Sequence, residues 1–174
     1  AGLNLAKTFN EKNGHSYSFV LDPAAGNAQL VSNLSTYDAN GVLTAYVIGP
    51  KLGLGKYTDI NKYVQLILKN PQLYNENAKI SVYNTGLGYQ ETYKKVQVLR
   101  EQYPYLNIVF KGTLYSDKES SYIYSHTENE FTTTVTDFAT SLSIENKTKP
   151  EFITTNLGGE DVTILLGKTV QLTQ

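Results

Sequence analysis

The chain has 174 residues, 40% apolar and 18% charged, with no cysteine and no methionine. This is a globular composition, long enough for one substantial domain or two small ones, and it excludes disulfides and thiolate metal sites. Its 15 basic and 16 acidic side chains are interspersed and sum to −1, so no strong field gathers phosphates and nucleic acid is not an expected partner.

Leu3, Leu5, Ala6 and Phe9 predict a short first helix that closes near Asn13-Gly14. Residues 16–21 (SYSFVL) read as a strand, ended by Asp22-Pro23 because proline denies the preceding residue its helical conformation. Residues 30–34 are a further extended segment, and residues 38–41 (DANG) a turn. Residues 42–48 (VLTAYVI) are β-branched and apolar enough for a central strand buried on both faces. After a glycine-containing loop, Thr58 can cap a helix whose Ile60, Tyr63, Val64, Ile67 and Leu68 share one face. Asn70-Pro71 ends that helix, and the aperiodic residues 72–77 mark a boundary between units 1–75 and 76–174.

In the second unit, residues 79–83 (KISVY) form a strand and Asn84-Thr85-Gly86-Leu87-Gly88 a tight turn. Tyr89, Tyr93, Val96, Leu99 and Tyr103 make one stripe of a helix stopped before Pro104. Residues 106–110 and 121–124 are strands on either side of a polar loop, and Phe131, Val135, Phe138 and Leu142 fall at helical spacing. Residues 145–160 are a long connection, with a short strand expected at Phe152-Ile153, before the last buried strand at 161–166 (DVTILL). The expected fold class is α/β. Two small α/β units follow one another, the second a β-α-β-β-α-β sheet covered by two helices and able to fold alone, whereas residues 1–70 need other surfaces for stability.

Gly49-Pro50-Lys51-Leu52-Gly53-Leu54-Gly55-Lys56 lies between a strand and a helix as a phosphate loop would. It puts Pro50 where that loop needs its first glycine, and Tyr57 where a hydroxyl must meet magnesium. The stronger ligand candidate is the turn Asn84, Thr85, Gly86 and Gly88, whose backbone N–H groups could hold an anion. Close backbone packing is the other reading of its glycines, and Glu91 already complements the helix dipole there. His15 and His126 have no partner at metal-ligand spacing, Glu128, Glu130, Glu160 and Asp161 form no acid/base pair, and no serine sits in a nucleophile elbow. No catalytic residue, metal or cofactor is expected. Among the 14 tyrosines, Tyr115, Tyr122 and Tyr124 border a polar loop and are expected to form an exposed aromatic surface, while Tyr63, Tyr89, Tyr93 and Tyr103 lie on apolar helix stripes.

Two segments carry a family resemblance. Ile80-Ser81-Val82-Tyr83-Asn84-Thr85-Gly86 and the closing Asp161-Val162-Thr163-Ile164-Leu165-Leu166-Gly167 resemble the start and end of the LytR C-terminal domain, with Lys168-Thr169 where the family carries an acid. Upstream, Leu5-Ala6-Lys7, residues 18–23 (SFVLDP) and Tyr57-Thr58-Asp59-Ile60 resemble the end of the LytR–CpsA–Psr catalytic domain. That family attaches wall polymers to peptidoglycan by phosphotransfer, using arginines, aspartates and magnesium, and its motifs lie upstream of the matched segment.

The resemblance therefore implies a non-catalytic tail of a bacterial envelope enzyme, extracytoplasmic, with peptidoglycan, wall polymer or an envelope protein as partner. The alternative is a free-standing bacterial surface adhesion or binding domain. No run reaches the roughly 18 apolar residues of a spanning helix. With no methionine at position 1, the chain is read as a piece of a longer frame, so membrane attachment would come only through a missing N-terminal anchor. An unmet strand edge in the first unit would favour a homo-oligomer.

Overall fold

The computed structural model describes residues 3–8, 17–21, 30–144, 149–154, 157 and 159–170. The chain divides into two compact units, Ala1–Asn75 and Glu76–Gln174, and both mix strands with helices.

The first unit opens on an antiparallel pair, β1 (Leu3–Thr8) and β2 (Tyr17–Leu21), with Leu3 opposite Leu21 and Thr8 opposite Tyr17. This replaces the first helix expected from Leu3, Leu5, Ala6 and Phe9. A register irregularity between Asn4 and Lys7 interrupts the two-residue alternation that would have marked a strand. The expected helix stop at Asn13-Gly14 and the turn at Asp22-Pro23 lie outside the described residues.

A second antiparallel pair joins β3 (Val31–Tyr37) to β4 (Leu43–Pro50), with Leu34 opposite Val47. Asp38 builds the connecting turn, its Oδ1 accepting the Asn40 and Val42 N–H groups at 2.8 and 2.9 Å, and Gly41 supplies φ +77°. β4 was expected to be a central strand buried on both faces. It is one half of a two-stranded ribbon instead, and Leu43 and Val47 are exposed. Helix α1 (Thr58–Lys69) buries Ile60, Tyr63 and Ile67 as its periodicity requires, although Thr58 makes no side-chain cap. Asn70-Pro71 ends α1 and also starts the short α2 (Pro71–Glu76): Asn70 Oδ1 accepts the Leu73 N–H at 3.3 Å, and proline takes the first helical position. The boundary segment is therefore helical, a turn and a half too short to show a period.

The second unit is one four-stranded sheet in the order β6-β5-β8-β7. Its strands are β5 (Lys79–Asn84), β6 (Asn107–Thr113), β7 (Tyr122–Ser125) and β8 (Val162–Leu166), and its helices α3 (Tyr89–Gln102) and α4 (Thr132–Leu142). β5 runs parallel to both β6 and β8, and β7 is antiparallel to β8. This is the expected β-α-β-β-α-β series. Val96 and Leu99 of α3 and Val135, Phe138 and Leu142 of α4 are buried, and the Tyr103 and Phe138 rings stack at 4.5 Å, so both helices meet on one face.

The opposite face is buried too. Tyr83, Tyr124 and Leu165 project from neighbouring strands and pack with Ile153 and Leu157, while Tyr115 OH donates to Phe152 O at 2.9 Å. Residues 149–154 thus form a cover held by side chains, with no strand at Phe152-Ile153. Covering on both faces explains why all five residues of β8 and five of the six in β5 are buried.

α4 starts unusually. Phe131 precedes it at φ +55°, where a bulky residue is rare, and no side chain of the first turn caps it. The cap comes from far away in sequence: Glu76 accepts the N–H groups of Thr133 and Thr134 at 2.9 and 2.8 Å and the Thr134 hydroxyl at 2.6 Å. Its carboxylate meets the positive end of the helix dipole, the role that Glu128 and Glu130 suggest by sequence proximity. At the other end Ser143, at φ +52°, lets Ile144 N–H return to Ala139 O.

Candidate functional site

The turn between β5 and α3 is built around Asn84, which is buried at the end of β5. Asn84 Oδ1 accepts the N–H groups of Gly86 and Gly88 at 3.2 and 2.8 Å, and its Nδ2 donates to Thr113 Oγ1 at 3.0 Å. The N–H groups of Thr85 and Leu87 both reach Leu166 O, at 2.9 and 3.3 Å. The four amides from Thr85 to Gly88 that an anion would use are therefore already committed within the chain.

The side chains lead to the same geometry. Thr85 is fully buried, and its hydroxyl has no partner among the described residues. A Cβ on Gly86 would collide with the backbone of Lys118, and one on Gly167 with that of Glu119 and Ser120. Both glycines are thus required by close backbone packing against one stretch of the loop after β6. Lys118 N–H donates to Thr85 O and Lys168 N–H to Lys118 O, at 2.9 and 3.1 Å, which fixes that stretch over the turn. Gly88 stands at φ +101° and ψ 147°, a region that only glycine occupies readily, and there the chain swings from the turn into α3.

That swing places Tyr89 and Tyr93 outside the helix's buried stripe. The stripe runs through Thr92, Val96 and Leu99, and the two tyrosines are 54% and 45% exposed. Their rings lean on Phe110 of β6, with centroids 5.0 and 6.3 Å away and planes inclined at 58° in each case. The aromatic surface expected at Tyr115, Tyr122 and Tyr124 is displaced to these residues. Tyr124 is buried, and Tyr115 and Tyr122 are half-buried, their rings edge-on to Phe152. Tyr63 is buried on α1 as expected and Tyr103 half-buried. The polar loop misleads because residues 149–154 cover it, and Thr92 hides the true stripe.

A second polar group lies under the cover. The Glu160 side chain is only 6% exposed, with Oε1 at 3.3 Å from Lys111 Nζ and 3.5 Å from Tyr83 OH. Burial, then the neighbouring carboxylate, pushes the Tyr83 phenol up to about 12. Burial likewise raises Tyr124 and lowers His126, whose Nε2 lies 2.8 Å from Thr163 Oγ1. Asp161 ties the starts of the two inner strands together, its Oδ2 accepting the Lys79 N–H at 2.8 Å. Nothing in residue spacing foretold this cluster, whose members come from four separate segments.

Residues 51–57 form successive tight turns with Gly53 and Gly55 at positive φ, and Leu52 and Leu54 are exposed. Arg100, the chain's single arginine, donates from Nε to Ile108 O at 2.9 Å and so braces the edge strand β6. His15 lies outside the described residues, and among those described no three His, Asp or Glu side chains could hold a metal ion. In comparisons with family models, curated proteins and solved structures, the chain matches none.

Proposed function

We propose that this chain is a non-catalytic binding module of the bacterial cell envelope: the C-terminal region of a LytR–CpsA–Psr-type protein, outside the membrane, with peptidoglycan or a wall polymer as partner. The observation that supports it is the meeting of the two segments on which the family resemblance rests. Ile80 to Asn84 lies in β5 with Thr85-Gly86 in the turn after it, Asp161 to Gly167 contains β8, and these are adjacent parallel strands with Asn84 opposite Leu166. Their ends are joined by Thr85 N–H to Leu166 O, and Gly86 and Gly167 both pack under residues 118–120.

Signature residues spent in this way hold a scaffold together, and function then falls to the surface the scaffold presents. The chain's only guanidinium braces the edge strand β6 through its Nε. The reading is tested by co-sedimentation of the purified chain with isolated bacterial cell walls. Saturable association is the expected result, and a chain that stays in the supernatant at every wall concentration overturns it.

A further inference from the structure

The partners of β5 fix the direction of every backbone group along it. Lys79 gives its N–H to Asp161 Oδ2 at 2.8 Å and takes the Asp161 N–H on its carbonyl at 3.0 Å, both on the β8 side. Backbone groups alternate sides along a strand, so Ile80, Val82 and Asn84 face β6, and Asn84 O accordingly accepts the Leu114 N–H at 2.9 Å. Ile80 lies opposite Ile108 and Val82 opposite Phe110 in a parallel pair. Asn107 and Val109 therefore bond back to β5, while Ile108 and Phe110 turn their N–H and C=O groups to the outer edge of the sheet. At that edge Ile108 is already engaged twice: its N–H donates to Leu106 O at 3.1 Å, and its carbonyl accepts from Arg100 Nε at 2.9 Å. Beyond Phe110 the register shifts and Gly112 stands at φ +113°, so the regular edge ends there.

We infer that Arg100 guards the β6 edge and keeps this unit from pairing strand to strand with a second copy of the chain. An open edge is a template for another strand, and a short edge is a poor one. β7, with four residues, is blunted by its length, whereas β6 has seven. Pairing would also cover Val109, which is 36% exposed, and the partly exposed Phe110. With Ile108 closed, Phe110 alone offers a free N–H and C=O to an incoming strand, and one residue does not hold a strand in register. Arginine suits the task. Its guanidinium is always charged and holds its donors in a fixed plane, and Arg100 is exposed, so the charged end stays in water while Nε closes the carbonyl. A second copy could pair here only by displacing Arg100 and enclosing its charge in the new interface. A second copy is the relevant occupant because β6 can meet its own equivalent antiparallel about a twofold axis, with no other sequence required.

Sedimentation equilibrium of the full chain measures association, and amide exchange shows where it occurs. Arg100→Ala is expected to self-associate about tenfold more tightly than the parent, with the Phe110 N–H becoming protected as concentration rises. Alanine favours the helix at this exposed position, so the variant is expected to fold, and its urea midpoint at low concentration checks that it does. Equal association of variant and parent overturns the guard. Association that leaves the Phe110 amide exchanging as in the parent also overturns it, because pairing then runs through another edge, such as that of the β3–β4 ribbon. Loss of the fold in the variant does the same, since Arg100 would then hold the unit together instead of closing its edge.

Discussion

Glu76 Oε2 accepts both the amide and the hydroxyl of Thr134, a residue 58 positions later in the chain. The cap of α4 is therefore a tertiary contact, absent from any isolated helix peptide. Glu76→Ala leaves the first turn without that acceptor and is expected to cost roughly 1–2 kcal/mol. Glu76→Gln, which keeps one acceptor oxygen, costs less. Urea denaturation measures both, and faster amide exchange confined at first to Thr133 and Thr134 identifies the cap as the cause.

Three glycines in the second unit are needed for two different reasons, and substitution separates them. Gly86→Ala and Gly167→Ala drive a methyl into the backbone of residues 118–120 and are expected to lose roughly 1–3 kcal/mol by overpacking. Around Gly88 there is open space, yet its φ of +101° makes Gly88→Ala costly by about 1–3 kcal/mol of backbone strain. Shortening the loop after β6 at residues 118–120 should relieve the first two and leave the third unchanged, as thermal denaturation of the double variants would show.

The Lys111–Glu160 pair is asymmetric, since the lysine side chain is 42% exposed and the glutamate 6%. Removing the lysine leaves a buried carboxylate unneutralised, and Lys111→Met is expected to destabilise by about 2 kcal/mol, discounted for the lysine's contact with water. Adding Glu160→Gln should recover most of that loss. A double-mutant cycle checks it, and strictly additive effects would show that the two side chains are not coupled.

Stability should fall on both sides of neutrality, for different residues. Burial lowers His126 from 6.5, only partly opposed by Glu160 and Asp161, so folding favours its neutral form. The contribution is complete above the unfolded value and is lost as pH falls through the lower folded one, so the urea midpoint should drop less between about pH 8 and pH 5 in His126→Gln than in the parent. Tyr83 is shifted upward, to about 12, so its contribution is complete below 10 and lost as pH rises through the folded value. An alkaline absorbance titration should show a late phenolate component that Tyr83→Phe reduces, the share of the buried Tyr124 remaining.

Most of the second unit could be read from sequence because each element there has a period and a partner. The run KISVY is a short strand pattern around Ile80 and Val82 followed by a glycine turn, and Phe131, Val135, Phe138 and Leu142 keep to helical spacing despite their threonine neighbours. The first unit was harder. The irregularity near Lys7 turns a strand's alternation into something helix-like, and the apolar run at 42–48 announces a burial that pairing with β3 alone does not supply. At the candidate site, Gly86 and Gly88 have the spacing of a phosphate turn. Only the position of Asn84, whose amide reaches across the turn, and of Lys118 above it, shows that the turn is closed by its own chain.

The last strand among the described residues, β8, sits inside the sheet between β5 and β7. During synthesis, β5, α3 and β6 can associate as they emerge, but β7 has no neighbour until residues 162–166 leave the ribosome and slide between it and β5. Nearly the whole unit must therefore exist before it can close, and for that interval the inner edge of β5 is open to other strands. A chaperone that shields extended segments would act in this window, and a chain cut short before Asp161 would leave that edge exposed permanently.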